Sequence, residues 1–261
     1  MKDLGIGPLV NFYNRQDKND VYHKIAGILL QNVTRLSSLT VQEAANICFT
    51  SSATISRLAK KAGYEGFNAM KDAARRQEAG YFQENRVLPP EQLIDADTTE
   101  TYLSTLIHMF MEMNRVLERD KVEKAVNLIA ESSSVYYFGS CDIMRRFQQD
   151  LFFNGKYVEV YQVFGADTPH LIEWAKNAVA IIENPGYPWF NSDDIILKIK
   201  AFGVKVILIT CSARPELEEQ VDLAIRLPGT KFGRDEVLYH ALINIMALEY
   251  RKKYMDDWFY K

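Results

Sequence analysis

Residues 39–74, LTVQEAANICFTSSATISRLAKKAGYEGFNAMKDAA, contain two short helical patterns joined by a turn. Apolar residues recur at helical spacing in both patterns: Val41, Ala44, Ala45 and Cys48 in the first, and Ile55, Leu58, Ala59 and Ala62 in the second. A helix with this spacing buries one face and exposes the other. The pattern predicts a helix-turn-helix unit, whose second helix enters the major groove of DNA. An ordinary helical hairpin with a solvated basic face is the alternative.

The second helix of this unit carries the predicted DNA contacts. Ser51 precedes the helix and has the kind of side chain that an N-cap requires. The outward positions hold short polar or cationic side chains, which suit a major groove because hydroxyl groups reach base edges and cations hold phosphates. We therefore predict DNA binding through Ser51, Ser52, Thr54, Ser56, Arg57, Lys60 and Lys61.

Two further helices are predicted around this unit. Residues 21–36 form one helical pattern, and its apolar stripe consists of Val21, Ile25, Ile28, Leu29 and Leu36. Gly63 is expected to end the second helix of the unit, and residues 67–77 offer another helix with Phe67, Met70 and Ala74 facing inward. We therefore predict a compact helical domain over residues 1–80.

The helical periodicity stops where Gly80, Pro89 and Pro90 occur close to several acidic residues. Glycine and proline interrupt regular structure, so this region does not read as a core element. We predict a linker over residues 81–98 and a second domain over residues 99–261.

The second domain alternates strand-like and helix-like patterns. Short apolar runs occur five times, as VYYFG, YVEVYQV, AVAII, VKVILIT and LAIRL. Helical patterns separate most of them, which is typical of βαβ units and a parallel sheet covered on both faces. The predicted fold class is therefore α/β, with an all-α helix-turn-helix domain followed by a doubly wound five-stranded parallel sheet. A ligand crevice is expected outside the carboxyl ends of the strands, in the loops after Phe138, Ile182 and Ile209.

Two long helices of the second domain carry extensive apolar surface. The helix predicted from Asp235 to about Tyr254 is apolar on more than one face, and the helix from Thr99 to Leu117 has apolar residues at three- and four-residue spacing. Surfaces of this kind pack on a neighbouring helix or subunit. We therefore expect a homo-oligomer, either a dimer or a tetramer.

The composition is that of an ordinary globular protein, with 261 residues, 48% hydrophobic content and a formal net charge of −3. Residues 1–80 hold 11 Lys and Arg against 7 Asp and Glu, whereas the remainder holds 20 against 27. A basic helical domain on an acidic body fits contact with nucleic acid through that domain. No apolar run approaches the length of about 20 residues that spans a membrane, and the N-terminus lacks the apolar region of a secretory signal. We expect a cytoplasmic protein without a membrane partner.

The three cysteines, Cys48, Cys141 and Cys211, lie far apart and form no C-x-x-C pair. An odd number at such spacing indicates neither a disulfide framework nor a zinc cluster. We therefore predict no metal site and no cofactor.

The order of a basic helix-turn-helix, a linker and a five-stranded α/β body resembles the RpiR family of bacterial transcription regulators, whose body is a sugar-isomerase (SIS) domain. The sequence SSATISRLAKKAGYEGF is similar to that family's recognition pattern at Ser51, Thr54, Arg57, Gly63 and Phe67. Phe49 stands where the turn of this family usually has glycine. If that position has a positive φ, phenylalanine adds strain of order 1 kcal/mol.

The resemblance also implies a phosphosugar site, and this sequence departs from it. The family pattern after the first strand is Gly-x-Gly-x-Ser, of which Gly139 and Ser140 remain. The pattern after the third strand is Ser-x-Ser-Gly-x-Thr, whereas this chain has Glu183-Asn184-Pro185-Gly186-Tyr187-Pro188. Because prolines donate no N–H bonds and Glu183 adds an anion, we predict a degenerate phosphosugar site. The candidate ligand contacts are Ser140, Asn184, Gly186, Thr210 and Ser212.

These observations favour a DNA-binding transcription regulator that binds a double-stranded operator and whose body dimerises and senses a small metabolite. A less anionic effector is expected, such as an uncharged or amino-containing sugar derivative. One alternative is an SIS-type sugar-phosphate isomerase, but Glu183, His170 and His240 belong to no constellation that would mark a general base. We therefore predict no catalytic residue and no enzyme activity. The other alternative is a regulator whose body is a ligand-free dimerisation scaffold.

Overall fold

The computed structural model describes residues 5–84, 97–161, 172–184, 192–211, 215–229 and 236–255, with side chains omitted at 77–84, 141, 192–194 and 236. The chain divides into two compact units, Met1–Glu84 and Asn85–Lys261. Each unit has its own hydrophobic core, and each is described by itself. Most of the predicted linker, residues 85–96, lies outside the described residues.

Unit 1 is helical throughout its described residues. Its helices are α1 (Gly7–Arg15), α2 (Val21–Gln31), α3 (Val33–Leu36), α4 (Val41–Ile47), α5 (Ser52–Lys61) and α6 (Phe67–Glu84). The helical patterns over residues 39–74 are confirmed as α4, α5 and the first part of α6. Helix α1, which begins at Gly7 with a proline in its first turn, was not predicted from the sequence.

The single helix predicted over residues 21–36 is wrong, because the chain breaks between α2 and α3. Asn32 lies at the break with a φ of −109°, and its side-chain amide donates to the carbonyl of Ile28 at 2.8 Å. An asparagine side chain that bonds the local backbone in this way competes with the helical ladder. Val21 is also misplaced in the prediction, since it is 56% exposed rather than part of the buried stripe.

The hydrophobic core of unit 1 contains buried residues from each of its described helices. The largest buried side chains include Leu9, Leu29, Leu36, Ile55, Leu58 and Met70. The predicted inward residues Phe67, Met70 and Ala74 are all buried in this core. Helix α6 continues to Glu84, beyond the predicted end at residue 77, because one glycine such as Gly80 costs a helix only about 1 kcal/mol.

Unit 2 is an α/β structure with five described strands. They are β1 (Ser134–Phe138), β2 (Tyr157–Tyr161), β3 (Ala178–Asn184), β4 (Lys205–Thr210) and β5 (Leu223–Arg226). Its helices are α7 (Thr98–Val116), α8 (Arg119–Glu131), α9 (Cys141–Phe153), α10 (Ser192–Ala201), α11 (Pro215–Glu218) and α12 (Glu236–Tyr254). All strand pairs are parallel, in the order β2-β1-β3-β4-β5. The predicted five-stranded parallel sheet is confirmed.

Both faces of the sheet are covered, because successive residues of each strand point to opposite sides. On one side Val135, Tyr137, Ile181 and Ile207 pack with α7, α8, α9 and α12. On the other side Tyr136, Phe138, Ala180 and Leu208 pack with α10 and α11. This arrangement explains why the strands read as continuous apolar runs in the sequence.

Helix α12 buries most of its apolar surface inside unit 2. Its buried residues, which belong to the same core as the sheet, are Leu238, Tyr239, Leu242, Ile243, Met246, Ala247 and Tyr250. Arg251 forms a bidentate ion pair with Asp150 of α9, in which its Nε and Nη2 atoms donate to the two carboxylate oxygens at 2.7 and 2.9 Å. The apolar faces of this helix therefore pack mostly within unit 2 and do not by themselves require a partner subunit. The apolar tail at residues 258–260 lies outside the described residues.

Among the described helices, none is long and apolar enough to cross a membrane. The described side chains also include no group of three or more His, Cys, Asp and Glu that could hold a metal ion. Cys48 and Cys211 are free thiols. Burial raises the pKa of Cys48 to about 11, so this thiol stays protonated and unreactive near neutral pH.

Candidate DNA interface and ligand crevice

The turn of the helix-turn-helix is fixed by a helix cap. Helix α4 ends with two backbone bonds, from the Phe49 N–H to the Asn46 carbonyl at 3.2 Å and from the Thr50 N–H to the Ala45 carbonyl at 2.9 Å. This is a Schellman cap, which requires a left-handed residue and usually takes glycine there. Phe49 occupies that position with a φ of +51° and is 94% exposed. The strain expected for this residue is therefore present, and burial of its ring does not offset it.

Replacing Phe49 by glycine should stabilise the helical unit. Glycine adopts the left-handed conformation without a steric penalty, so we expect the free energy of unfolding to rise by about 1 kcal/mol. For a domain of this size the midpoint temperature should rise by about 4–8 °C. Thermal unfolding of the full-length protein measures the change. Phe49→Ala is the matched control, because it removes the ring and keeps the strained Cβ; a glycine variant no more stable than the alanine variant would contradict the strain.

The beginning of α4 is held by a capping box. The Thr40 hydroxyl accepts from the Glu43 N–H at 3.2 Å, and the Glu43 carboxylate accepts from the Thr40 N–H at 2.7 Å. The backbone bond to Thr40, followed by the bond from its hydroxyl, lowers the pKa of Glu43. Because the folded pKa is lowered, this stabilisation is present above the ordinary pKa of a glutamate and is lost as the pH falls through the lowered value.

The beginning of α5 is held by the predicted N-cap. The Ser51 hydroxyl accepts from the Thr54 N–H at 3.2 Å and pairs with the Thr54 hydroxyl at 2.9 Å. The Ser52 hydroxyl donates to the side-chain carbonyl of Gln42 at 2.9 Å and so ties the beginning of α5 to that of α4. Gln42 was not among the predicted contacts, although an exposed amide in the first turn of α4 is suited to phosphate contact.

The end of α5 is a second Schellman cap, and here the left-handed residue is the expected glycine. Gly63 has a φ of +96°, its N–H donates to the Lys60 carbonyl, and the Tyr64 N–H donates to the Ala59 carbonyl. The Tyr64 hydroxyl donates to the Gly5 carbonyl at 2.8 Å, which joins the end of α5 to the segment before α1. Both ends of the predicted recognition helix are therefore fixed.

The outward face of α5 is cationic. Ile55, Leu58 and Ala59 are fully buried on one side of the helix, and the exposed line opposite them consists of Ala53, Arg57 and Lys60. Ser56 lies beside this line, with its hydroxyl donating to the Ser52 carbonyl at 3.0 Å. The Lys61 ammonium lies 5.2 Å from the centre of the Tyr22 ring, in cation–π geometry.

The structure brings all seven predicted DNA contacts onto one short helix and its cap, but they differ in what they offer. Ser51 and Thr54 use their hydroxyl groups in the cap, and Lys61 contacts Tyr22. Arg57 and Lys60 are exposed cations on the outward line. Ala53, which was not in the predicted set, shares that line, and a methyl group there can contact a thymine methyl.

Three of the five predicted ligand contacts meet at one edge of the sheet in unit 2. Ser140 follows β1, Asn184 ends β3 and Thr210 ends β4, and Asn184 and Thr210 are register partners. Both of these residues are buried, with exposed fractions of 2% and 1%. Gly186 and Ser212 lie outside the described residues. The carboxyl ends of the central strands therefore carry a polar cluster that is largely enclosed.

Glu183 lies at the centre of this cluster. Its carboxylate accepts the Ser140 N–H at 3.1 Å and the hydroxyl hydrogen of Tyr137. The Tyr239 hydroxyl donates to the Asn184 carbonyl at 2.9 Å, and burial raises the pKa of Tyr239 well above its usual value. The charge of Glu183 was evident from the sequence, but its two tyrosine neighbours were not, because they lie far from it along the chain.

A family model described as a helix-turn-helix domain of the rpiR family matches residues 11–78. An uncharacterised HTH-type transcriptional regulator of Caldanaerobacter subterraneus subsp. tengcongensis is 28% identical over 124 residues, which are 44% of this chain and 41% of that protein. The matched part therefore spans less than half the length of this relative.

Many solved structures align with the chain, among them the two that follow. The Vibrio vulnificus NanR protein, complexed with ManNAc-6P, aligns with a TM-score of 0.49 and 14% identity, over 95% of this chain and 93% of that chain. The sugar isomerase domain of an RpiR transcription factor from Sphaerobacter thermophilus aligns with a TM-score of 0.49 and 16% identity, over 59% of this chain and 91% of that chain.

The match to the family model includes the end of α1, helices α2 to α5 and most of α6. It thus contains both helices of the helix-turn-helix, the turn at Phe49 and the two caps. Residues 11–78 of this chain therefore match a helix-turn-helix domain of the rpiR family.

Proposed function

We propose that the protein is a transcription regulator that acts in the cytoplasm and binds a double-stranded DNA operator through α5. The observation that carries this proposal is the exposed line of Ala53, Arg57 and Lys60 on a helix whose two ends are both fixed by caps. A rigid helix with an outward cationic face loses little conformational entropy when it enters a groove. Ser52 and Ala53, near the N-terminus of α5, are placed to meet base edges, whereas Arg57 and Lys60 are placed to hold phosphates or bases.

Selection of genomic DNA tests this proposal. Full-length protein at low salt should retain specific fragments, and footprinting of these fragments should reveal two protected half-sites separated by one or more turns of about 10 base pairs. Retention of no fragment at low salt would contradict DNA binding. Uniform retention of all fragments would contradict an operator-specific regulator.

A homodimer is part of the same proposal, since two recognition helices at a fixed spacing read two half-sites. Helix α7 offers the surface for it. Its exposed apolar residues, on a face separate from buried Met109 and Met113, are Leu103, Ile107, Phe110 and Met111. Beside Phe110 a groove of about 430 Å³ lies between α7, α8 and α12, lined by side chains that include Met113, Val126 and Ile245. An apolar face next to a groove suits a self-complementary contact between two copies of the chain.

The burial of the polar cluster at the strand ends favours a second candidate function for unit 2, a dimerisation scaffold that binds no ligand. Asn184 and Thr210 are buried, and Glu183 is engaged by Tyr137 and Ser140 instead of facing open space. The same engagement argues against an isomerase, which needs a base beside its bound sugar.

If an effector binds, we propose an uncharged or amino-containing sugar derivative. A thermal-shift screen separates sensor from scaffold, since a ligand at a hundredfold excess over its Kd adds about 2.7 kcal/mol of stability.

Sugar phosphates should bind the native protein poorly. A phosphate dianion at the ends of β1 and β3 would meet the carboxylate of Glu183, and each missing charge-assisted bond costs about 1.5–3 kcal/mol. Two such missing bonds weaken a micromolar site by about two to four orders of magnitude. Calorimetry with hexose phosphates and amino-sugar phosphates measures this, with the corresponding neutral sugars as controls. Micromolar binding of a sugar phosphate, abolished by a bulky residue at Gly186, would contradict the degenerate site.

A further inference from the structure

The switch point of the parallel sheet lies between β1 and β3, the two strands from which the chain continues in opposite directions. In sheets of this kind a ligand binds outside the carboxyl ends of the strands at that point. Here the place is filled by a side chain of the protein. Glu183, the second-last residue of β3, is only 9% exposed and reaches across to the loop that follows β1.

The contacts of this carboxylate are those that a bound anion would make. One oxygen accepts the backbone N–H of Ser140, the residue that caps the 13-residue helix α9 and whose own side chain makes no capping bond. The other oxygen accepts the hydroxyl hydrogen of Tyr137. The N-terminus of α9 contributes a favourable dipole. A backbone N–H, a buried hydroxyl and a helix dipole thus converge on one negative charge.

The backbone of Gly139 is shaped around the same carboxylate. A Cβ atom at this position would lie 2.3 Å from the nearer carboxylate oxygen of Glu183 and 2.6 Å from its carboxyl carbon. Such distances are far shorter than a van der Waals contact, so the carboxylate lies directly against the Cα of Gly139. A larger residue here would force the Glu183 side chain to shift, and the backbone of Gly139 is not in a left-handed conformation.

We propose that Glu183 is a tethered anion that occupies the ligand position at the switch point and closes it to external anions. The chain itself supplies the negative charge that accepts the hydrogen bonds which the N–H of Ser140 and the hydroxyl of Tyr137 would otherwise donate to a ligand. These two hydrogen-bond donors of the crevice consequently have an acceptor without a bound ligand. This inference goes beyond DNA binding and does not depend on it, so either one can fail while the other stands.

Chemical rescue tests the proposal. Glu183→Ala removes the carboxylate and leaves a gap of the size of a small carboxylate, while the hydroxyl of Tyr137 loses its acceptor. The melting temperature of the full-length variant should fall by about 4–8 °C. Sodium formate should restore at least half of this decrease, and sodium chloride at equal ionic strength should restore none. Glu183→Gln is the matched control, since its amide keeps the space filled; it should be destabilised and should gain no more from formate than from chloride.

A double-mutant cycle provides a second measurement, which holds even if Glu183→Ala folds poorly. Gly139→Ala alone should be strongly destabilising, because the new Cβ collides with the carboxylate. Adding Glu183→Ala to Gly139→Ala should then raise the melting temperature, whereas the same change lowers it in the native background. Equal effects of formate and chloride on Glu183→Ala, or an effect of Glu183→Ala with the same sign in both backgrounds, would overturn the proposal.

Discussion

Replacing Arg57 and Lys60 together by alanine should weaken operator binding by about two to four orders of magnitude, because each removes a charge-assisted bond worth about 1.5–3 kcal/mol. Both side chains are exposed on the outward line of α5, opposite the buried Ile55 and Leu58, so their removal leaves the core of the helical unit intact. The melting temperature of the variant should therefore match that of the native protein. Fluorescence anisotropy with a footprinted operator gives the affinity.

The salt dependence of binding separates phosphate contacts from base contacts. Removing one phosphate contact should lower the slope of log affinity against log salt by about 0.9. If Lys60 holds a phosphate, the single variant Lys60→Ala weakens all sequences alike and flattens this slope. If Arg57 reads a base, Arg57→Ala relaxes discrimination at one position of each half-site and leaves the slope nearly unchanged.

The matched control removes the same charge from the body of the protein. Arg146→Ala together with Lys205→Ala also deletes two exposed cations, one in α9 and one at the beginning of β4. This pair should leave operator affinity unchanged. If it weakened binding as much as the α5 pair, the effect would reflect net charge alone, and α5 would lose its assignment as the recognition helix.

The helical unit could be predicted in detail where its structure depends on local signals. Ser51 caps α5 and Gly63 ends it, and both can be read from the sequence because caps involve residues three or four positions apart. The left-handed backbone at Phe49 follows from the same logic, since the Schellman cap of α4 demands it there. Helix α1 and the break at Asn32 have no comparable periodic signal. Their local signals, a proline in the first turn of α1 and an asparagine side chain that bonds the Ile28 carbonyl, are not periodic and so do not show in the hydropathy pattern.

The ligand crevice could be predicted in position but not in content. Parallel strands end at the same edge of a sheet, so Ser140, Asn184 and Thr210 were expected together, and the structure places them there. The contact between Glu183 and the loop after β1 depends on the register of β1 against β3, in which Phe138 pairs with Ile182. A shift of one residue would turn Glu183 to the other face. Hydropathy does not specify this register.

The apolar surfaces of α7 and α12 could be predicted from the sequence, but what covers them could not. The sequence marks α7 and α12 as helices with extensive apolar surface, but it does not say whether that surface meets the protein's own sheet or a second chain. In the structure α12 is largely enclosed, whereas α7 keeps Ile107 and Met111 exposed by 61% and 67%. Any dimer interface of the body is therefore expected on α7, and shortening the chain before α12 would remove part of the core instead of separating subunits.

Replacing Ile107 and Met111 together by aspartate should convert the dimer into a monomer. In a twofold dimer each substitution acts on both chains, so four apolar side chains are removed from the interface. At about 1 kcal/mol for each partly buried side chain, the loss of about 4 kcal/mol raises the dissociation constant roughly a thousandfold, before the cost of burying carboxylates is added. Light scattering at micromolar concentration should give the mass of two chains for the native protein and of one chain for the variant.

The matched control places aspartates on exposed apolar residues of other helices. Leu197 of α10 and Phe153 of α9 are exposed by 54% and 70%, so Leu197→Asp together with Phe153→Asp changes charge and hydropathy to a similar extent. This control should keep the mass of the native protein. A native protein with the mass of one chain would contradict the dimer, and a dimer unaffected by the α7 pair would place its interface elsewhere. Because a dimer engages two half-sites at once, the monomeric α7 variant should also lose most of its operator affinity while its α5 contacts stay intact.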